Sequence, residues 1–117
     1  MSKEVLMLVD VLAKEKNLDK EVVFDSLEKA LAFATKRSFE GEFPEIDVQI
    51  DRATGKYKTI RKWSVVSDID FYDDDKELSE SDVAADAERY GQDLKIGDVV
   101  EEELENRYYM KYENNKE

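Results

Sequence analysis

Apolar residues recur at Val5, Leu8, Val9 and Leu12, a spacing that predicts a helix from Lys3 to about Lys16 with one stripe turned to a core. Ser2 is placed to cap it, and Glu4 suits the positive end of its dipole. The helix is more apolar than one stripe requires. Met7 and Val11 lie four apart on the opposite side, where charge is usual. Either the helix is buried on two sides, or this face docks on a partner, a use for which methionine adapts well. Asn17-Leu18-Asp19 is a short connection, with Asp19 the expected cap of a second helix from Lys20 to near Phe39. Its core stripe is Val23, Leu27, Ala30, Leu31 and Ala34, with Phe24 at the margin, Val22 and Phe33 off the stripe, and Gly41 as C-cap. Two long helices across so short a turn predict an antiparallel helix pair.

Pro44 closes off any helix, and the period changes to two. Ile46, Val48 and Ile50 alternate with Asp47, Gln49 and Asp51, as in a half-buried strand. Asp51-Arg52-Ala53-Thr54-Gly55 supplies turn chemistry, so the chain folds back as an antiparallel hairpin whose second arm runs to Val66. That arm interleaves Lys56, Lys58, Arg61 and Lys62 with Tyr57 and Trp63. Ser67 to Glu77 reads as an acidic loop. A calcium loop starting at Asp68 would need glycine sixth and glutamate twelfth, where Asp73 and Ser79 stand, so no metal site is expected. Ser79 and Asp82 form a variant capping box before a short helix from Glu80 to about Tyr90, ended by Gly91. Val99 and Val100 begin a third strand, while 101–105 suits either its extension or a helix. Residues 107–112 have the composition of a further strand before a polar tail. The expected fold is α+β: an antiparallel helix pair packed on a small, mostly antiparallel sheet with one further short helix. Residues 1–105 make one domain and 106–117 a C-terminal segment ending in a partly disordered tail.

Composition narrows the function classes. The chain has 117 residues, enough for one modest core. No stretch approaches the roughly 20 apolar residues of a membrane span, and the start lacks the pattern of a signal peptide. Without cysteine there is neither a disulfide framework nor a thiolate metal site, which fits the cytoplasm. Without histidine the usual general base and commonest zinc ligand are missing. No nucleophile elbow, P-loop, dinucleotide-binding glycine pattern or zincin helix occurs, so binding is expected, not catalysis, and no cofactor. The net charge of −12 is uneven. Residues 1–62 balance 12 basic against 12 acidic side chains, while 63–117 hold 6 against 18. The first half can therefore meet phosphate where a uniformly acidic protein would be repelled. The basic hairpin arm and the Lys36-Arg37 pair are the candidates. The plainer roles of these groups are edge-strand lysines that deter aggregation and cations that complement a helix C-terminus.

The order of several segments is also familiar. Lys3-Glu4-Val5-Leu6, Glu15-Lys16-Asn17, the run from Val23 to Leu31 and Ala34-Thr35-Lys36-Arg37 resemble the opening of the NusA family of bacterial transcription factors. Val48 to Gly55 followed by Thr59 to Val66 is similar to that family's I-D-R-x-[ST]-G…R-R-W-x-V-V signature, and Leu94 to Glu101 to its L-x-x-G-D-x-V-E segment. The resemblance spans residues 1 to about 105. It implies an N-terminal module, cytoplasmic and monomeric, that docks on the flap-tip helix of the RNA polymerase β subunit near the RNA exit channel. There it would modulate pausing, hairpin-dependent termination and antitermination. The RNA-facing candidates it implies are Lys36, Arg37, Arg61 and Lys62, with Arg52 and Arg107 weaker; contact with nascent RNA would be weak and not sequence-specific. For polymerase docking the apolar-face argument selects Met7, Val11, Val22 and Phe33. Glu42-Phe43-Pro44 looks like a small insertion relative to the family. Beyond Glu105 the family's run into a further helix, an OB-fold and KH domains is not evident, so an excised fragment and a stand-alone relative both stand. Another class stands beside this one: an acidic interaction protein or nucleic-acid mimic that fills a basic groove through its second half, Asp73, Asp74 and Asp75 included.

Overall fold

The structure is a computed structural model and describes residues 2–106. Helix α1 spans Ser2–Lys16 and α2 Lys20–Arg37. Strand β1 is Glu45–Ile50, β2 Tyr57–Val66, β3 Glu77–Ser79 and β4 Val99–Leu104. Two short helices, α3 (Glu80–Ala85) and α4 (Ala87–Tyr90), lie between β3 and β4. The α+β class and the mainly antiparallel sheet are as expected from sequence. Among the described residues no helix is long and apolar enough to cross a membrane.

The helix pair is joined by local chemistry. Asn17 adopts φ 53°, and the N–H groups of Asn17 and Leu18 return to the carbonyls of Lys14 and Ala13, a Schellman closure built on asparagine. Asp19 then caps α2 by accepting from the N–H of Glu21 at 2.9 Å. Ser2 is already helical and does not cap from outside. At its far end α2 stops at Ser38, whose N–H and hydroxyl both bond the carbonyl of Thr35; Gly41 comes three residues too late to be the cap. The core-facing stripe of α2 is rotated from the expected one. Phe24 is buried rather than marginal, Ala30 is exposed, and Thr35 is 2% exposed with its hydroxyl donating to Leu31 O at 2.8 Å. Val5, Val9 and Ala13 of α1, Val23 and Phe24 of α2 and Ile50 of β1 form one cluster. Each fully buried side chain of this size contributes about 1.5–3 kcal/mol.

β2 is the central strand. β1 pairs with it antiparallel from Glu45↔Lys62 to Ile50↔Tyr57, and β4 antiparallel along the other edge from Thr59↔Leu104 to Ser64↔Val99. The choice left open for 101–105 is thus settled as strand through Leu104. β3 pairs parallel with Ser64–Val66, on the edge that β1 vacates after Lys62; this short parallel strand was not foreseen. The expected single helix over 80–90 is divided. Asp86, at φ −132° and ψ 59°, leaves helical geometry and caps α4 through the N–H of Arg89. Ser79 caps α3 as its spacing predicted, accepting from Asp82 N–H. Residues 107–112, read above as a further strand, and the tail lie outside the described residues.

Candidate functional site

The hairpin turn is built first by Asp51. Its carboxylate accepts from the N–H of Ala53 (2.8 Å) and Thr54 (2.9 Å), and its carbonyl from Gly55 (2.8 Å). Those backbone donors, Thr54 foremost, hold the Asp51 carboxyl below the usual range. The turn presents Arg52 not outward but across to α2. The guanidinium meets Glu21 at 2.8 Å, Asp25 at 3.1 Å and Glu28 at 2.5 Å, and lies 4.7 Å from the Phe24 ring. Glu28 also accepts from the N–H of Ile50 at 2.8 Å, so one carboxylate closes both the strand end and the arginine. The bonds to Glu21 and then Glu28 raise the Arg52 pKa further, keeping it charged at every accessible pH. As a phosphate ligand Arg52 is already taken, at the end of the hairpin remote from Lys36 and Lys62.

Arg61 and Lys62 are neighbours in β2, so their side chains leave opposite faces of the sheet. Arg61 shares its face with Ile46, Thr59 and Trp63 and is 9% exposed. Its guanidinium sits between Phe39 (5.3 Å) and Trp63 (4.7 Å), bonds Asp75 O at 3.0 Å and pairs with Glu42 at 3.3 Å. Arg61 is therefore an internal strut linking the chain after α2 to the sheet and to the acidic loop. It does not share a surface with Lys62.

Lys62 is on the open face, held between Asp47 (3.3 Å) on β1 and Glu101 (3.8 Å) on β4, with about a third of its side chain exposed. Glu45, its cross-strand neighbour, reaches Lys36 at 3.7 Å. Glu45, which Lys36 reaches, and Asp47, which Lys62 reaches, are two residues apart on β1, so Lys36 and Lys62 lie at the same end of the hairpin. Arg37 follows Lys36 in the last turn of α2, exposed, 5.7 Å from the ring of Phe33. Lys36, Arg37 and Lys62 thus form one basic end. Lys76, which lines the same hollow as Lys36 and Arg37, was missed. It stands alone in an acidic run, and only the chain reversal through β3 carries it there. Arg107 lies outside the described residues.

The apolar candidates are all at the surface. Met7 is 63% exposed, Val11 49%, Val22 48% and Phe33 61%. Double burial of α1 is therefore ruled out: its Met7–Val11 face is bare. Val11 lies near the end of α1 and Val22 near the start of α2, on either side of the turn, where Leu18 is also 47% exposed. Leu18 was not anticipated, because a turn leucine carries no periodic signal. Phe33 stands three helical turns from Val22, about 16 Å along α2, and belongs with the basic end.

The acidic loop is ordered by its own carboxylates. Glu77 accepts from the N–H of Tyr72 (2.9 Å) and Asp73 (3.0 Å), and Asp75 from Phe43 N–H (2.9 Å). Asp68 caps Ser81 through both its N–H and its hydroxyl. Oxygens of Asp73, Asp74 and Asp75 come within 4.8 Å of one another.

Comparison with known proteins supplies the frame for these surfaces. The family model for the NusA N-terminal domain matches residues 4–116. Among curated proteins, the transcription termination/antitermination protein NusA of Bacillus subtilis is 33% identical over 104 residues, 89% of this chain and 26% of that protein. The protein of the same name from Rickettsia conorii is 30% identical over 101 residues, 86% of this chain and 19% of its own length. The chain thus spans about a quarter or less of these relatives. The solution structure of the N-terminal domain of NusA from B. subtilis superposes with a TM-score of 0.65 at 30% identity, over 96% of this chain and 85% of that one. By the family match and by the shared fold, this chain belongs to the NusA N-terminal domain family.

Proposed function

We propose that the chain is a transcription elongation and termination module that docks on RNA polymerase, at the β flap tip near the RNA exit channel, and modulates pausing, hairpin-dependent termination and antitermination. The observation that carries the docking reading is the bare apolar face at the helix turn. Met7, Val11 and Val22 are each about half exposed or more on helices whose core stripes face the other way, and Leu18 is 47% exposed in the turn between them. Apolar surface of this kind, rimmed by charge such as the Lys20–Asp10 pair at 2.8 Å, suits an amphipathic partner helix. The RNA-facing surface is the basic end: Lys36, Arg37 and Lys62, with Phe33 beside them. Arg52 and Arg61 serve the fold. The module works as a cytoplasmic monomer, by contact and not by catalysis, with residues 1–105 as the docking unit. Its RNA contacts are weak and not sequence-specific.

The test is a pull-down of polymerase and of the isolated flap segment at moderate salt. Met7→Glu with Val11→Glu should lose binding by more than tenfold while the melting temperature holds, since both side chains are already in solvent. If the unaltered chain captures neither polymerase nor flap, the proposal is wrong. Neutralising Asp73, Asp74 and Asp75 should leave capture unchanged; if capture fails there instead, the acidic half is the binding surface.

A further inference from the structure

Beside the basic end, the C-terminus of α2 and the chain entering β1 enclose an open cavity of about 440 Å³. This is within the range of small-ligand sites, about 300–1,000 Å³. Its walls include three phenylalanines from three different places: Phe33 on α2, Phe39 after it and Phe43 before Pro44. Phe39 is occupied by Arg61, but Phe43 is 72% exposed and Phe33 61%. Phe43 is not a loose tip, because its N–H is fixed by Asp75 at 2.9 Å. Its backbone is anchored while its ring stands in water at the cavity mouth, where a face is open to stacking. Around it stand Lys36, Arg37 and Lys76. The two glutamates of the wall are already matched, Glu42 by Arg61 and Glu45 by Lys36. Arg37 and Lys76 form no ion pair with another described residue.

We propose that this cavity binds one unpaired nucleotide of RNA, its base stacked on Phe43 and its phosphates met by Arg37 and Lys76. Exposed rings beside unpaired cations are the combination that single-stranded nucleic acid recognises, because every base has a stacking face whatever its sequence. A protein side chain would fill the hollow less well, since lysines are depleted at the centre of protein interfaces. A paired stem buries its bases and cannot reach Phe43. The inference rests on the RNA-facing reading of Lys36 and Arg37 and adds a preference for unpaired over paired RNA.

The test uses the 117-residue chain and fluorescence anisotropy with three RNAs: a single-stranded adenine hexamer, its abasic counterpart of equal phosphate number and a paired stem long enough to stay duplex. The hexamer should bind at least about fivefold more tightly than the abasic strand, the lower end of the range of about five- to 150-fold that corresponds to one stacked base. Phe43→Ala should reduce it to the abasic level while leaving the stem unaffected. The ring is exposed and carries little of the core, and circular dichroism of the variant checks that it is folded. Equal binding of hexamer and abasic strand, or indifference to Phe43→Ala, overturns the inference. The RNA-facing reading survives that result if Lys36→Glu with Arg37→Glu weakens all three RNAs, and falls with it if none binds. Loss of polymerase capture by Phe43→Ala without loss of RNA would assign the cavity to protein and likewise overturn it.

Discussion

Arg61 holds its guanidinium between the rings of Phe39 and Trp63, and its Nε finds no hydrogen-bond partner among the described residues. Removing one member of such a buried set leaves the others uncompensated. Arg61→Glu is expected to destabilise by about 3–5 kcal/mol in urea unfolding, whereas Lys62→Glu, one residue away on the open face, should cost under about 1 kcal/mol. Equal effects would mean that Arg61 is not the strut described. Gly55 is a second singular residue. At φ 78° it is left-handed, and a Cβ there would meet the Ser2 carbonyl oxygen at 2.1 Å. Gly55→Ala combines a left-handed cost of about 1–2 kcal/mol with that clash against the start of α1, so its urea midpoint should fall clearly; an unchanged midpoint would show that the turn can move aside. Asp51, Glu21, Asp68 and Glu77 all have carboxyls held low by the donors they accept from: Thr54 and Ala53 backbone, Arg52, Ser81, and the Asp73 and Tyr72 backbone respectively. Their folded values lie below the unfolded ones of about 3.9 and 4.3. This stabilisation is therefore complete above about pH 5 and is lost as pH falls through the folded values. Thermal melts should decline below about pH 4. In Asp51→Asn the decline should be shallower, because the amide oxygen accepts the same two N–H groups without titrating.

At the scale of elements, α2 and the β-hairpin are joined at both ends by side chains that cross between them. Arg52 ties the turn to Glu21, Asp25 and Glu28, and Glu28 also closes the Ile50 N–H. Lys36 and Glu45 meet at the opposite end. Arg52→Met keeps the packing on Phe24 but releases three carboxylates that then repel one another. Its expected cost, as an exposed network, is about 1 kcal/mol. Hydrogen exchange should quicken at Ile50 and in the turn, and not in β4. If β4 exchanges equally fast, the arginine supports the whole sheet and not this junction.

For the whole molecule, the uneven charge bears on the RNA contact proposed above. The basic end offers Lys36, Arg37, Lys62 and Lys76, of which Lys36 is shared with Glu45 and Lys62 with Asp47 and Glu101. So few phosphate contacts imply a shallow salt dependence, a log–log slope of about −2 to −3 for three contacts. A slope near −6 would require cations beyond this surface. The apolar surface proposed to face polymerase lies toward the other end of α2 from this basic end.

Local chemistry could be read from the sequence wherever it closes within a few residues. The two helices, the Asp19 and Ser79 caps, the Asp51–Gly55 turn and the alternation of β1 are set by spacing and by side chains bonding their own backbone. The family resemblance was legible for the same reason, since its motifs mark these turns and strands. The tertiary structure decided what depends on distant partners. Whether Met7 and Val11 were covered depended on where the sheet went. That Arg52 is engaged by carboxylates and Arg61 internal, while Lys36, Arg37, Lys62 and Lys76 converge, depended on partners that lie 19 residues away for Glu42 and 31 for Glu21. A cation's residue type states its charge, but only the fold states which anion has already claimed it.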